Sequence, residues 1–333
     1  MKLDALLMAK PHEAQQRAEA LAATGVDGIF TFEGPHDVFL PLILAARTGC
    51  DLYTNVAIAF PRSPMHLAHT SWDLAALSEG RFALGLGTQI QAHIERRYGS
   101  TWSTPAARMA EWIAALRAIS ARWQTGEPLS YEGTFTRHTL MTPAFDPGPL
   151  PHGPPPIWLG ALGPRMVELA TRSADGLLVH PFTSDRHLAE VTRPRIDGGL
   201  AAAGRARPDL TIVGQAIVAC TSDPAAQADL DLAARWMIGF YGSTPAYVPV
   251  LDTEGRGHLH PELRRLSREG RWDEMAALVD DDLLDAVVLR GDPDVVGDRL
   301  RARFGGFADR VALSTPGGIA DEDLAALVRK LKT

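Results

Sequence analysis

Short apolar or β-branched runs alternate with helix-like segments along the whole chain, and this alternation constrains the fold more than any other feature. Buried parallel strands joined by helices require right-handed crossovers, and eight such units close naturally into a barrel. The sequence therefore predicts an α/β fold, a (β/α)8 TIM barrel. An open doubly wound sheet is the alternative, but it would carry a GxGxxG motif after the first strand, where none occurs. The predicted strands are Leu3–Ala9, Gly28–Glu33, Asp51–Phe60, Arg81–Thr88, Pro156–Ala161, Asp175–His180, Thr211–Thr221 and Asp309–Thr315.

Two segments are longer than a simple strand–helix unit, and we expect them to be insertions into one domain of residues 1–333. The first, about 126–155 after strand 4, contains a predicted hairpin of residues 129–131 with 134–136 and a Pro/Gly-rich loop that cannot be helical. The second, about 241–284 after strand 7, holds two short helical patterns. Long segments at a barrel mouth often form lids or specificity loops, although packing insertions are about as common.

Composition and charge narrow the possible partners. The chain has 333 residues, 46% of them hydrophobic, and 33 basic side chains against 40 acidic ones give a net charge of −7. No run of like charges provides a surface for nucleic acid, and the longest dense apolar run is about half a membrane span. Two cysteines, Cys50 and Cys220, are too few for a disulfide framework. We therefore expect a cytoplasmic protein with no nucleic-acid or membrane partner.

The active site of a barrel lies at the carboxyl ends of its strands, which directs attention to the polar residues that follow each predicted strand. Strand 2 is followed by Glu33 and His36, which are candidates for an acid/base role, although a loop histidine is an equally good interpretation. Strand 4 ends in Gly85, Leu86, Gly87, Thr88 and Gln89, where the two glycines lack a Cβ and allow a flat ring to approach the backbone. Close packing of barrel strands is the alternative explanation of these glycines.

Strand 5 leads into a turn that is suited to an anion. Gly160, Ala161 and Leu162 precede Gly163 and Pro164, which start the next helix, and Arg165 follows in its first turn. Free backbone N–H groups and the positive end of the helix dipole favour a phosphate here. A Gly-Pro helix start without any ligand is also common.

The sequence lacks the residues that other chemistries require. No His-x-His follows strand 1; His258 and His260 have that pattern but lie in the second insertion, and His66 and His69 have no third ligand nearby, so we assign no metal. A Gly-x-Ser-x-Gly motif is absent, and neither cysteine has a neighbouring base. A barrel that can hold a flat ring and a phosphate but lacks a nucleophile suggests that a cofactor supplies the chemistry.

Several motifs together resemble the bacterial luciferase-like monooxygenase family, particularly its branch that uses the deazaflavin coenzyme F420. The strings carrying the resemblance are Gly80–Gln89 followed by His93–Gly99, Ile157–Met166 followed by Ser173–Gly176, Phe60–Pro64, and Gly291–Pro293. The resemblance implies a barrel that binds a flavin-like ring against strands 3 and 4, with its phosphate at Gly160–Arg165. It also implies a non-proline cis peptide in strand 3, at the position that matches Asn55–Val56.

The resemblance further implies an F420-dependent oxidoreductase that exchanges a hydride with a small organic substrate. Many deazaflavin members carry an Asp-His pair after strand 2; here Glu33 matches the acidic position, Gly34 stands at the histidine position, and His36 lies two residues further on. An FMN-dependent luciferase-like monooxygenase and a non-catalytic flavin- or deazaflavin-binding protein are the alternatives. The family also suggests a homodimer, for which the apolar segment Leu67–Leu77 is a candidate surface, unless that face packs on the barrel.

Overall fold

Eight parallel strands form a closed barrel in the computed structural model, which describes residues 1–333. Consecutive strands pair around the ring, and the last strand pairs with the first through Lys2 and Arg310. The predicted (β/α)8 TIM barrel is therefore confirmed, and the open doubly wound sheet is excluded. The strands are β1 Lys2–Leu6, β2 Gly28–Thr31, β3 Asp51–Thr54, β4 Phe82–Gly87, β5 Ile157–Ala161, β6 Gly176–Val179, β7 Thr211–Cys220 and β8 Arg310–Ser314.

Helices surround the barrel, and several begin at the residues that the sequence indicates. The Ser63 hydroxyl accepts a hydrogen bond from the backbone N–H of His66 and caps its helix, whereas Thr104 precedes its helix without a side-chain cap. The helices are Ala14–Ala23, Leu40–Ala45, Pro64–Leu77, Gln91–Arg96, Pro105–Thr125, Pro164–Ser173, Asp185–His187, Leu188–Thr192 (a π-helix), Arg193–Ala202, Gln227–Gly242, Val248–Thr253, His260–Glu269, Trp272–Ala277, Asp281–Val287, Pro293–Phe304 and Asp321–Lys332. None of them combines the length and the apolar character that crossing a bilayer requires.

The segment between β4 and β5 contains a short antiparallel hairpin, Tyr131–Glu132 with Arg137–His138. Its strands lie one to three residues later than the predicted 129–131 and 134–136. The carboxylate of Glu111 explains the shift, because it accepts two hydrogen bonds of 2.8 Å from backbone N–H groups between the strands. Because of these two bonds, residues 134–136, which were predicted as the second strand, form the turn of the hairpin instead.

The segment between β7 and β8 builds a second layer beside the barrel. Three of its helices, Val248–Thr253, His260–Glu269 and Trp272–Ala277, share a separate buried apolar cluster with Gln227–Gly242. An additional strand, Val288–Gly291, pairs with the second half of β7 outside the ring. This layer extends from the carboxyl ends of the strands, so it forms one wall of the space above the barrel.

A buried ion pair joins the first and last strands inside the barrel. Both carboxylate oxygens of Asp4 accept hydrogen bonds from the Arg310 guanidinium, at 2.6 and 2.7 Å, and the Tyr53 hydroxyl donates a further one at 2.8 Å. Above this layer, Tyr53 stacks on Phe30 at 5.4 Å and contacts Trp158 at 5.0 Å. These side chains fill the interior of the barrel below the carboxyl ends of the strands.

The apolar face of the Pro64–Leu77 helix packs on the barrel. Leu67, Trp72 and Leu74 are all buried, and Leu77 at the helix end is the only large apolar side chain of the helix that is exposed. The Leu67–Leu77 segment is therefore not a free surface for dimerisation, and the expectation that it could serve as one is wrong. The helix Leu40–Ala45 instead exposes Leu40, Ile43 and Leu44.

Candidate functional site

A cavity of about 1550 Å³ opens at the carboxyl ends of the barrel strands. Its floor is formed by strand ends and its far wall by the segment that follows β7. The volume exceeds that of a typical single-ligand pocket, which is about 300–1,000 Å³, so a cofactor and a substrate fit together. Its lining includes Asn55, Val56, Gly87, Thr88, Gln89, Gly160, Ala161, Leu162, Gly163, Pro164, His180, Arg195, Gln215, Trp236, Phe240, Tyr241, Tyr247 and Trp272.

The third strand bulges into this cavity between its two halves. It runs to Thr54, resumes as the short strand Ala57–Ile58, and the Asn55–Val56 peptide between them is cis, as the family resemblance implies. The Asn55 amide donates a 2.8 Å hydrogen bond to Gln215 of β7 across the barrel mouth. The bulge is thereby fixed against the opposite side of the ring.

The glycines of strand β4 accommodate this bulge rather than a ligand. A Cβ on Gly85 would lie 1.8 Å from the Thr54 carbonyl oxygen, and a Cβ on Gly87 would lie 2.3 Å from Cγ2 of Val56. The prediction that both glycines allow a ring to approach is therefore corrected for Gly85, which faces the neighbouring strand. Gly87 still lines the cavity, with Val56 packed against it.

Thr88 and Gln89 follow β4 and line the cavity, as expected. Gln89 adopts a left-handed backbone conformation with a φ of 56°, and its side-chain oxygen accepts a hydrogen bond from the next backbone N–H, that of Ile90. Its side-chain oxygen is thus used locally, which leaves the amide nitrogen for a ligand.

The turn after β5 presents open backbone to the cavity. Gly163 precedes the helix Pro164–Ser173, no side chain caps this helix, and a Cβ on Gly163 would meet nothing within 4 Å. Arg165 is exposed and its side chain is not part of the lining, so its place in the anion site stays a prediction. Its backbone N–H still belongs to the first turn of the helix.

Arg195, on the helix Arg193–Ala202, lines the end of the cavity at which the Arg165 side chain was expected. It lines the cavity near Ala161 and Leu162, and it forms neither an ion pair nor a hydrogen bond with the protein. Burial and the Arg195 charge lower the pKa of His187. The hydroxyl of Thr183 is buried without a hydrogen-bond partner in a small space that Arg195 also lines. This part of the cavity has an uncompensated positive charge, and nothing in the local sequence pattern distinguishes Arg195 from the other arginines.

Glu33 and His36 do not line the cavity. The Glu33 carboxylate accepts hydrogen bonds from the Ile58 backbone N–H and Arg62 at 2.7 Å each and from the Tyr98 hydroxyl at 2.8 Å. It joins three segments behind strand β3. The Tyr98 pKa rises to about 12 through burial and through this contact with Glu33. His36 lies on the exposed loop after β2, so the structure gives neither residue access to a ligand in the cavity.

His180 reaches the cavity although the sequence analysis did not select it. It follows β6, and its Nδ1 accepts a hydrogen bond from the Phe182 backbone N–H, which places the ring proton on Nε2. Its ring stacks on Tyr247 at 4.4 Å and meets the edge of Tyr241 at 4.8 Å. Burial lowers the pKa of His180 to about 3, so the ring is neutral near pH 7. The available signal was a polar residue at the carboxyl end of an apolar strand.

The histidines with metal-like spacing are engaged elsewhere. His260 Nδ1 contacts the Gly242 carbonyl at 2.8 Å, and His66 Nδ1 contacts the Ser63 hydroxyl at 3.1 Å. No group of three or more His, Cys, Asp or Glu side chains is arranged to hold a metal ion.

Comparison with known proteins identifies the family. The family model described as luciferase-like monooxygenase matches residues 3–310. A Mycobacterium tuberculosis protein named provisionally as a coenzyme F420-dependent oxidoreductase is 31% identical, with 94% of each chain covered. The 5,10-methylenetetrahydromethanopterin reductase of Archaeoglobus fulgidus is 29% identical over 83% of this chain and 80% of the relative. The solved coenzyme F420-dependent tetrahydromethanopterin reductase of Methanopyrus kandleri superposes with a TM-score of 0.81 at 20% identity, covering 99% of this chain and 97% of that one. The chain belongs to the luciferase-like monooxygenase family.

Proposed function

We propose that the protein is an F420-dependent oxidoreductase that transfers a hydride between the deazaflavin and a small organic substrate. The observation that carries the proposal is the division of one large cavity into an apolar part and an end with uncompensated positive charge. A planar cofactor with an anionic tail requires such a division. The names of one sequence relative and one structural neighbour include coenzyme F420, which supports the deazaflavin.

The residues around the bulge fit a planar ring. Val56 packs on the two glycines Gly87 and Gly160, whose missing Cβ atoms leave room for it. The Asn55–Gln215 hydrogen bond fixes the bulge from which Val56 faces the cavity. Because the surface of this bulge is already ordered, the binding of a ring loses little free energy in ordering it.

The residues beside Gly163 fit the phosphate that both F420 and FMN carry. A helix N-terminus without a side-chain cap offers free N–H groups, and the open space at Gly163 lets an anion approach them. Arg195 supplies a guanidinium that no carboxylate neutralises. A half-buried cation without a partner is unfavourable in the empty protein, and an anionic ligand removes that cost.

F420, when bound, supplies or accepts a hydride at its C5 atom. The protein's own residues bind the tail, fix the plane of the ring and surround the substrate with aromatic side chains that exclude water. Glu33 and His36 were predicted to handle the substrate proton, but the contacts of Glu33 and the exposure of His36 do not support this role. The proposed reaction therefore uses neither residue.

Cofactor titration tests the proposal. Purified protein is titrated separately with F420 and with FMN, and binding is followed by cofactor fluorescence. We expect F420 to bind at micromolar or lower concentration and reduced F420 to be oxidised by a substrate from a panel of alcohols, aldehydes and enones. Binding of FMN alone, with oxygen consumption by the reduced form, would establish the monooxygenase alternative. Tight F420 binding without any turnover would indicate a non-catalytic cofactor-binding protein.

We also propose that the protein acts in the cytoplasm as a homodimer. Both cysteines are free and buried, which suits a reducing compartment. The exposed apolar side chains of the Leu40–Ala45 helix, together with Leu77, provide a candidate contact surface. Sedimentation equilibrium tests the assembly state, and the change Ile43→Glu should shift a dimer towards monomer.

A further inference from the structure

Three neutral side chains with hydrogen-bonding groups cluster at the wall of the cavity. The groups are the Nε2–H of His180 and the hydroxyls of Tyr241 and Tyr247, and all three residues line the cavity. The His180 and Tyr247 rings are stacked, while the Tyr241 ring is perpendicular to that of Tyr247 at 5.5 Å. The cluster therefore brings one strand end and two positions of the segment after β7 to a single place.

None of the three groups has a hydrogen-bond partner within the protein. The only hydrogen bond of His180 uses Nδ1, and the two phenol hydroxyls make none. The three donor atoms are not among the fully buried polar atoms that lack a partner, so each of them is accessible from the cavity. Buried or half-buried donors are normally paired with an acceptor, and these donors are free to donate hydrogen bonds to a ligand in the cavity.

The cluster stays uncharged over the physiological pH range. Burial alone lowers the pKa of His180, with no contribution from a charged neighbour. Burial raises the pKa of Tyr247 to about 12 and also raises that of Tyr241. A set of neutral donors that are bonded to no charged side chain suits an uncharged oxygen acceptor.

The surrounding wall is apolar and partly uncovered. Trp236, Phe240 and Trp272 line the cavity, with 46%, 49% and 46% of their surfaces exposed. Large aromatic side chains that remain half exposed around a cavity favour a ligand with an apolar body. The charged Arg271 nearby is already paired with Glu269 and Glu274.

We propose that His180, Tyr241 and Tyr247 bind the oxygen of an uncharged carbonyl compound or alcohol whose apolar body lies against Trp236, Phe240 and Trp272. This inference rests on the proposed function for the role of that ligand as the substrate. It concerns this chain's own residues, and the binding itself is measurable without turnover. The predicted substrate class is a hydrophobic ketone, aldehyde or the corresponding alcohol.

The test compares two ligands of the same shape. Acetophenone carries a carbonyl oxygen where α-methylstyrene carries a methylene group. Each is titrated into protein loaded with oxidised F420, which has no hydride to give to the ketone, and binding is followed by tryptophan fluorescence and calorimetry. We expect acetophenone to bind about 10-fold more tightly than α-methylstyrene, because two or more neutral hydrogen bonds favour it.

Two variants remove donors and leave the wall in place. Tyr247→Phe deletes a hydroxyl, and His180→Asn deletes the Nε2 donor while its side-chain oxygen can still accept from the Phe182 N–H. Each should reduce the preference for acetophenone about 3- to 10-fold and leave α-methylstyrene binding unchanged. Tyr131→Phe removes a hydroxyl from the hairpin outside the cavity and is the matched control, with no expected effect. Near-ultraviolet circular dichroism checks that each variant is folded.

The outcomes separate this inference from the proposed function. Equal binding of the two ligands by the parent protein, or an unchanged preference in both variants, overturns the inference. The same titrations are repeated without cofactor. If the protein binds no F420 but still prefers acetophenone in a His180-dependent way, the inference stands and the cofactor proposal fails. If F420 binds and no preference exists, the cofactor proposal stands and the inference fails.

Discussion

Replacing Arg195 by glutamine tests the assignment of the anionic end of the cavity. Arg195 has no competing carboxylate, so the full interaction with a ligand phosphate should be lost. A hydrogen bond to a charged group contributes about 1.5–3 kcal/mol, and about 1.4 kcal/mol corresponds to tenfold in Kd. Arg195→Gln should therefore raise the Kd for F420 by about 10- to 100-fold. Arg195→Lys keeps the charge but loses the planar fork, and should give a smaller loss.

The assay follows F420 fluorescence during titration at low and high salt. The ribosyl deazaflavin that lacks the phosphate provides the matched ligand, and its Kd should not change in Arg195→Gln. Arg165→Gln provides the matched variant, since the Arg165 side chain does not line the cavity. It should change the Kd less than about threefold, as expected for a screened surface charge. Equal losses for the two ligands, or no loss for F420, would refute the assignment of Arg195 to the phosphate.

Three further predictions address the turn, the buried histidine and the barrel-closing ion pair. Gly163→Ala should change the free energy of unfolding by no more than about 1 kcal/mol, because the φ of −72° suits alanine and no atom lies within 4 Å of the new Cβ. It should still weaken F420 binding about tenfold, because the methyl group occupies space that the ligand needs. Chemical denaturation measures the first effect and cofactor titration the second. The pKa of His180 is about 6.5 in the unfolded chain but about 3 in the folded protein, so the free energy of unfolding falls as the pH drops below 6.5. Between about pH 7.5 and about pH 5 the parent protein should lose about 2 kcal/mol more of this free energy than His180→Asn loses. Urea denaturation measures both losses, and equal losses would contradict the prediction. Asp4→Asn leaves Arg310 with only part of its buried counter-charge and should lower the free energy of unfolding by about 3 kcal/mol. Lys2→Gln removes an exposed ion pair and should lower it by less than about 1 kcal/mol. Similar losses for the two variants would indicate that burial does not determine the strength of these pairs.

The barrel could be predicted from the sequence because its signals are local. Each strand is a short apolar run, and each following helix has its own periodicity and start signal, such as the Ser63-Pro64 pair. Eight repetitions of that local pattern leave few ways to arrange the chain. The Asn55–Val56 cis peptide was predicted from the family resemblance, since no residue type there is diagnostic by itself. The turn at Gly163 was predicted from its Gly-Pro helix start.

The roles of individual side chains in the site were harder to predict, because they depend on contacts between distant segments. Glu33 had the position of a rim carboxylate, but Ile58, Arg62 and Tyr98 converge on it only in the folded chain. Arg195 and His180 show the opposite case. Arg195 belongs to an arginine-rich stretch, and His180 follows an apolar strand. Both matter because Arg195 has no partner in the protein and His180 has none at Nε2.

The insertion after β7 had an open interpretation, as either a specificity loop or a packing element. The structure gives it both tasks: its helices bury their own apolar cluster, and Tyr241, Tyr247 and Trp272 line the cavity. The sequence could not separate these tasks because the same aromatic residues serve burial and ligand contact. Only the placement of each ring relative to the barrel axis distinguishes them.

The pairing of Asp4 with Arg310 bears on how this protein is made in the cell. The two residues are 306 positions apart in the chain, so the carboxylate near the amino terminus leaves the ribosome long before the guanidinium that neutralises it. A nascent chain that ends before β8 has no means of closing the ring around that charge. Completion of the native state must therefore wait until translation is almost finished, and shortened products that lack the final strand should be recognised by cellular quality control as unfinished.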